Sequence, residues 1–205
     1  MVGVFGRTYT NDQVINYINN PRKDGGTPLM VAAIKGHSEI TKLLLDKGAN
    51  INQCTSNGYT ALMWAASAGH NDTVRLLINQ GANPMLTTVK GSSALLIAAD
   101  KGNIDVVKTL LACKEIDVNS VCKNDGVSPL SCAVKINNPE LVQLLLDHGA
   151  KLDPVTASQI ENINKKQPLD ANMTKIMAMI ETSRLESQEK HTDTFETSSP
   201  NPRQR

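Results

Sequence analysis

A twelve-residue pattern returns along this chain at a nearly constant interval. It runs from Gly26 to His37 as Thr27-Pro28-Leu29, Ala32-Ala33 and Gly36-His37, then from Tyr59 to His70 with Thr60, Ala65-Ala66 and Gly69, and again from Ser92 to Asn103. Thr27, Thr60 and Ser93 stand 33 residues apart, and a fourth copy, Val127 to Asn138, places Ser128 a further 35 residues on. The two extra residues fall around Cys113 to Asn124. A period of about 20 to 50 residues marks units that cannot bury an apolar face alone, so the chain must stack its copies side by side.

Each copy reads as a pair of helices. Thr27, Thr60, Ser93 and Ser128 can cap a helix by accepting a bond from an otherwise unpaired backbone N–H, and Pro28 and Pro129 sit where the first helical residue loses nothing by lacking a donor. The paired alanines let neighbouring helices approach closely. Gly36, Gly69 and Gly102 suit the left-handed residue that ends such a helix, with Asn137 taking that place in the fourth copy. Apolar residues then recur at helical spacing as Ile40, Leu43, Leu44; Val74, Leu77, Ile78; Val107, Leu110, Leu111; and Leu141, Leu144, Leu145. Gly48, Gly81 and Gly149 close three of these second helices.

These residues resemble the ankyrin-repeat family. The pattern T-P-L-x-x-A-A-x-x-G-H … L-L-L-x-x-G-A-x-x-N stands nearly complete as Thr27-Pro28-Leu29, Ala32-Ala33, Gly36-His37, Leu43-Leu44-Leu45, Gly48-Ala49 and Asn52. The resemblance implies an all-α solenoid of helix-turn-helix units joined by hairpin-like turns and capped at both ends. The histidine that usually follows T-P-L is replaced by Met30, Met63, Leu96 and Ser131, so the family's Thr-His hydrogen-bond ladder is not expected. Lys114-Glu115 stands in place of the closing Gly-Ala of the third copy and predicts a longer, irregular connection there.

The organisation expected is an incomplete N-terminal capping repeat over 1–24, four repeats over 25–153 (about 25–57, 58–90, 91–125 and 126–153), a degenerate helical cap over 154–184, and a polar tail over 185–205. Thr10-Asn11-Asp12-Gln13 fits a capping box ahead of Val14, Ile15 and Ile18. Met173, Ile176, Met177 and Ile180 share one face of a helix near 170–183. The tail has two sizeable apolar residues, Leu185 and Phe195, and reads as disordered. A start partway through a repeat is what a fragment would show, while the polar tail equally suits a free C-terminus.

Composition narrows the function. Lys+Arg 21 against Asp+Glu 20 gives a net charge of +1, without the basic excess that phosphate-backbone binding needs, so no nucleic-acid partner is expected. Apolar runs such as Leu29 to Ile34 fall far short of the roughly 18 residues of a membrane span, and the first residues lack the pattern of a signal peptide. These point to a cytosolic or nuclear monomer. Chain usage rich in Asn, Ile and Lys also resembles ankyrin proteins that intracellular bacteria deliver into host cells, which makes action in a host cytosol the alternative. Aromatics at 3% leave the core to Leu, Ile, Val, Ala and Met.

No catalytic constellation stands outside the repeat. Cys54, Cys113, Cys122 and Cys132 form no CxxC pair and read as reduced structural thiols; His37 and His70 occupy the repeated turn, His148 precedes a helix-ending glycine, and His191 lies in the tail. Glycines recur as helix ends and never cluster as phosphate loops. Trp64, inside an inner helix, reads as core. No enzyme, cofactor or metal is therefore expected. What remains is the face that the family uses to bind proteins. Carried over by position, the resemblance implies a concave face formed by Ile34, Lys35, Tyr59, Ser67, Ala68, Lys90, Ser92, Asp100, Lys101, Val127, Lys135 and Ile136. Its mildly basic character predicts a partner segment that is acidic or of mixed charge.

Overall fold

Four helical pairs follow the four copies of the pattern. The computed structural model describes residues 10–165 and 170–196, and among them the helices run in chain order as α1 (Asn11–Asn19), α2 (Pro28–Ile34), α3 (Ser38–Asp46), α4 (Ala61–Ala68), α5 (Asn71–Asn79), α6 (Ala94–Asp100), α7 (Ile104–Leu111), α8 (Pro129–Lys135), α9 (Pro139–Asp147), α10 (Pro154–Asn164) and α11 (Ala171–Glu196). The even-numbered helices α2 to α8 pack in file as inner helices, and α3 to α9 form the outer file. Among the described residues no sheet joins them; isolated bridges at Cys54–Thr60 and Thr87–Ser93 tie two of the turns.

The local signals act as the sequence implies. Thr27, Thr60, Ser93 and Ser128 each accept at the side chain from the backbone N–H three residues on, at Met30, Met63, Leu96 and Ser131. Those four acceptor-bound positions are themselves buried, so apolar Met30, Met63 and Leu96 fill with volume the place where the family carries histidine. Asn137 adopts a left-handed φ of 55°, the place that Gly36, Gly69 and Gly102 hold in the other copies.

Neighbouring units interlock at that turn. A Cβ added to Gly36 would lie 2.6 Å from His70 Nδ1, because the His70 ring lies over the glycine and its Nε2 sits 3.1 Å from the carbonyl of Ile34. Asn103 repeats the arrangement one unit later. It lies over Gly69 and donates from Nδ2 to the carbonyls of Ala66 at 2.8 Å and Ser67 at 3.2 Å. Carbonyls left unpaired at the end of one inner helix are thus satisfied by the next unit.

A second set of side-chain bridges runs along the outer loops. The Oδ1 atoms of Asn19, Asn52 and Asn119 accept from the backbone N–H groups of Asn50, Asn83 and Lys151. Met85 occupies the intervening place and has no oxygen to offer. The loop it would have held is the irregular one, where the amide of Ile116 turns instead to the carbonyl of Cys113 at 3.2 Å.

The core is a single band along the stack, centred on Leu29, Leu62, Leu95 and Leu130 of the inner helices and Leu77, Leu110 and Leu145 of the outer ones. Three expectations need correction. Ile40 and Leu43 are exposed, because among the described residues no complete unit precedes α3 to cover them. Leu144 is half-buried while Leu145, the true counterpart of Leu77 and Leu110, is fully buried; a run of three leucines, 144 to 146, conceals that register from a periodicity argument. At the C-terminal end, α11 continues past the boundary at 184 to Glu196, since no glycine or proline interrupts that stretch. Residues 197–205, the remainder of the expected tail, lie outside the described residues, as does the sequence before Thr10.

The C-terminal cap packs as its apolar stripe implies. Met173, Ile176 and Ile180 are buried and Met177 is half-buried, with α11 lying against α9 and α10 against α8. Asp153 caps α10 by accepting from the Thr156 amide, and the hydroxyls of Ser128 and Thr156 both donate to its Oδ2. Burial alone would push the Asp153 carboxyl up, but these hydroxyl and amide donors outweigh it and hold it below the ordinary range.

Candidate protein-interaction face

Two kinds of position make up the face implied by the sequence: the ends of the inner helices and the turns that precede them. At the helix ends, Ile34, Lys35, Ala68, Lys101, Lys135 and Ile136 are exposed, whereas Ser67 and Asp100 are half-buried. Their backbone is fixed from the following unit, by His70 on Ile34 and by Asn103 on Ser67.

The structure brings three of the charged residues together. Asp100 pairs through Oδ2 with Lys101 Nζ at 3.4 Å and through Oδ1 with Lys135 Nζ at 3.9 Å, joining the third and fourth units. All three side chains remain well solvated, so the pairs contribute little stability and leave both ammonium groups open to a partner.

In the turns, Tyr59, Ser92 and Val127 are half-buried and Lys90 is exposed. Tyr59 stacks on Trp64, with ring centroids 4.8 Å apart and planes inclined by 28°. Trp64 is half-buried and packs against the core, so the pair presents an aromatic edge held in place by the inner helix beneath it. Successive turn tips are linked by one backbone bond each: Ser56 N–H to Asp24 O at 3.3 Å, Val89 N–H to Asn57 O at 3.0 Å, and Lys123 N–H to Lys90 O at 2.9 Å.

Val89 and Lys123 were not singled out by sequence reasoning. Val89 is 71% exposed, the highest among the exposed aliphatic side chains described. The signal that could have found it is its place beside Lys90 at the tip of the turn, since the carry-over took only one residue from that tip.

Charge divides between the two sides of the stack. The turn tips and inner-helix ends carry Lys23, Lys35, Lys90, Lys101, Lys123 and Lys135 against Asp24, Asp100 and Asp125. The outer helices α3, α5, α7 and α9 reverse the balance, with Glu39, Asp46, Asp72, Asp105, Glu140 and Asp147 against Lys42, Arg75 and Lys108.

Of the four free thiols, Cys122 and Cys132 are buried, Cys113 is half-buried and Cys54 is exposed. Cys132 is buried and its thiol is pushed up to about 12 by desolvation, and burial likewise raises Cys113. Cys122 is buried and donates from Sγ to the Lys90 carbonyl at 3.1 Å, bracing the turn. Among the described residues no group of three or more His, Cys, Asp or Glu side chains is placed to hold a metal ion, and no helix is long and apolar enough to cross a membrane.

A family model described as ankyrin repeats (3 copies) matches the chain over residues 9–88 and again over 80–156. No curated protein matches it.

Proposed function

The chain belongs to the ankyrin-repeat family, whose stacks are generally protein-protein interaction modules, and on that premise we propose that it acts without catalysis by binding an acidic or mixed-charge segment of another protein across its turn tips and inner-helix ends. The observation that carries this reading is the division of charge. Lysines outnumber carboxylates six to three on the side that holds the exposed Ile34, Val89 and Ile136, and carboxylates outnumber basic residues six to three on the outer helices α3, α5, α7 and α9. Apolar contacts ringed by charge are the usual anatomy of a binding patch, and complementary charge steers encounter more than it adds affinity.

The partner-contacting residues in this reading are Ile34, Lys35, Tyr59, Ser67, Lys90, Ser92, Asp100, Lys101, Val127, Lys135 and Ile136, joined by Val89 and Lys123. The protein works as a monomer in the cytosol or nucleus. Its Asn-, Ile- and Lys-rich composition favours a second reading, in which the same face is the recruiting arm of a larger enzyme or of a bacterial effector acting in a host cytosol.

A photo-crosslinking residue placed at Ser67 or Ile136, and in a parallel chain at Arg75 on α5, tests the face. Capture of one protein from the first two positions, lost in a chain carrying Lys101→Glu and Lys135→Glu, is the expected result. Capture from Arg75 alone, untouched by the charge reversals, would place the interface on the outer helices and sink the proposal.

A further inference from the structure

The inner helices do not present the same chemistry along the file. Four places past each capping hydroxyl stand Val31, Trp64, Ile97 and Cys132, on the same helical face as the helix-end residues three and four places further on. Val31 is 40% exposed and Trp64 half-buried, whereas Ile97 and Cys132 are buried. The helix ends change in step. In the first two units Ile34, Ser67 and Ala68 are uncharged beside the single charge of Lys35, and in the last two Asp100, Lys101 and Lys135 stand together.

Each half is suited to a different group. On α4 the Trp64 indole, braced by the stacked Tyr59 ring, shares its helical face with the exposed Ala68, and the exposed Ile34 stands at the same level one unit earlier. That is a place for an apolar side chain. On α6 and α8 the structure already shows what the two ammonium groups accept: the Asp100 carboxylate reaches Lys101 Nζ at 3.4 Å and Lys135 Nζ at 3.9 Å. These pairs are long and solvated, so they hold weakly, and two cations against one carboxylate leave room for another.

The distance between the halves sets the length of what can span them. Inner helices pack directly on one another, α2 on α4, α4 on α6 and α6 on α8. At the usual helix separation, the midpoint of α2 and α4 lies two steps, about 16–20 Å, from that of α6 and α8. An extended chain covers this in about five to six residues, and a helix in about eleven to thirteen. The extended form orders fewer residues and so loses less entropy on binding.

Resting on the binding face proposed above, we infer that this face is divided: α2 and α4 take an apolar residue, and α6 and α8 take carboxylates about five to six residues away along one extended segment of the partner protein. Trp64 is the one tryptophan of the chain, so its emission reports the apolar half without a label. The probe is the peptide acetyl-Leu-Leu-Gly-Ser-Gly-Ser-Asp-Asp-amide, with its reversed sequence, titrated into the full chain. One of the two should shift Trp64 emission to shorter wavelength, saturably, as leucine covers the indole. Lys101→Glu with Lys135→Glu, both at exposed positions, should weaken that binding at least about tenfold. The same peptide ending in Asn-Asn should bind the parent chain and the lysine double variant alike. Ala68→Asp, also at an exposed position, should weaken both peptides, and Asp100→Asn, which removes the competing carboxylate, should tighten the aspartate peptide alone. Binding that leaves Trp64 emission unmoved, binding indifferent to the lysine reversals, or no binding at millimolar peptide would each overturn the division. So would binding only through a helical, alanine-rich spacer of about eleven residues. If a partner is still captured from Ser67 or Ile136 in that event, the face stands and only its division falls; capture from Arg75 alone removes both.

Discussion

The two ends of this stack meet the same demand unequally. A solenoid whose units touch only their neighbours has end faces as apolar as its interior, and something must cover each. At the C-terminal end α10 and α11 do so, burying Met173, Ile176 and Ile180 against the last repeat and closing the polar junction through Asp153. At the N-terminal end α1 buries no residue and leaves Ile40 and Val31 open. The contrast shows that equal repeat sequences do not give equal burial: position in the file decides how much of each unit's apolar surface leaves water.

The largest effects should fall where cover is complete. Ile176→Ala should cost about 2–5 kcal/mol in urea unfolding, as a fully buried truncation does. Ile15→Ala, on the exposed cap helix, should cost under about 1 kcal/mol. Equal losses would erase the difference between the ends. A sharper version compares one repeat position with itself: Leu77→Ala should lose about 2–5 kcal/mol, and Leu44→Ala clearly less, because half-burial returns less transfer energy and leaves no closed cavity.

Acid should loosen the C-terminal end in particular. The Asp153 carboxyl titrates below its unfolded value, so its stabilising contribution is complete above the ordinary aspartate range near 3.8 and is lost as pH falls below that value through the native one. Urea midpoints followed from pH 6 to pH 2.5 should drop more steeply below pH 3.8 in the parent chain than in Asp153→Asn. A parallel fall in both chains would remove Asp153 from the account of the cap. The smallest effect belongs to Asn19→Ala, which removes the bonds that hold α1 to the Gly48–Asn50 loop. It should cost about 0.5–1.5 kcal/mol, and amide exchange should rise chiefly in α1.

Much of this architecture is legible in local chemistry. The capping hydroxyls at Thr27, Thr60, Ser93 and Ser128, the capping box at Thr10, and the left-handed Asn137 each follow from what one residue can do for the backbone beside it. What escapes the sequence is what depends on a neighbour. Periodicity identifies Ile40 and Leu43 as apolar-face residues but cannot say that, among the described residues, they are left exposed. The run Leu144-Leu145-Leu146 offers three registers to helical spacing alone, and counting 17 residues from each cap, Thr60 to Leu77, Ser93 to Leu110 and Ser128 to Leu145, selects Leu145, the fully buried one. On the candidate face, the resemblance supplies positions one at a time, so it finds Lys101 and Lys135 but not their shared carboxylate geometry at Asp100, nor the stacking of Tyr59 on Trp64.

The overlap of each turn glycine with a side chain of the following unit sets a rule for how such a gene can grow or shrink. Excising residues 37–69 would carry His70 onto the position of His37 and bring Asn103 over Gly36, the same meeting now made between Asn103 and Gly69. Among the first three units, a 33-residue unit can therefore be duplicated or lost while that junction keeps its fit. An insertion or deletion out of that phase has no such protection, because a residue with a Cβ arriving at Gly36 would meet the His70 ring at 2.6 Å.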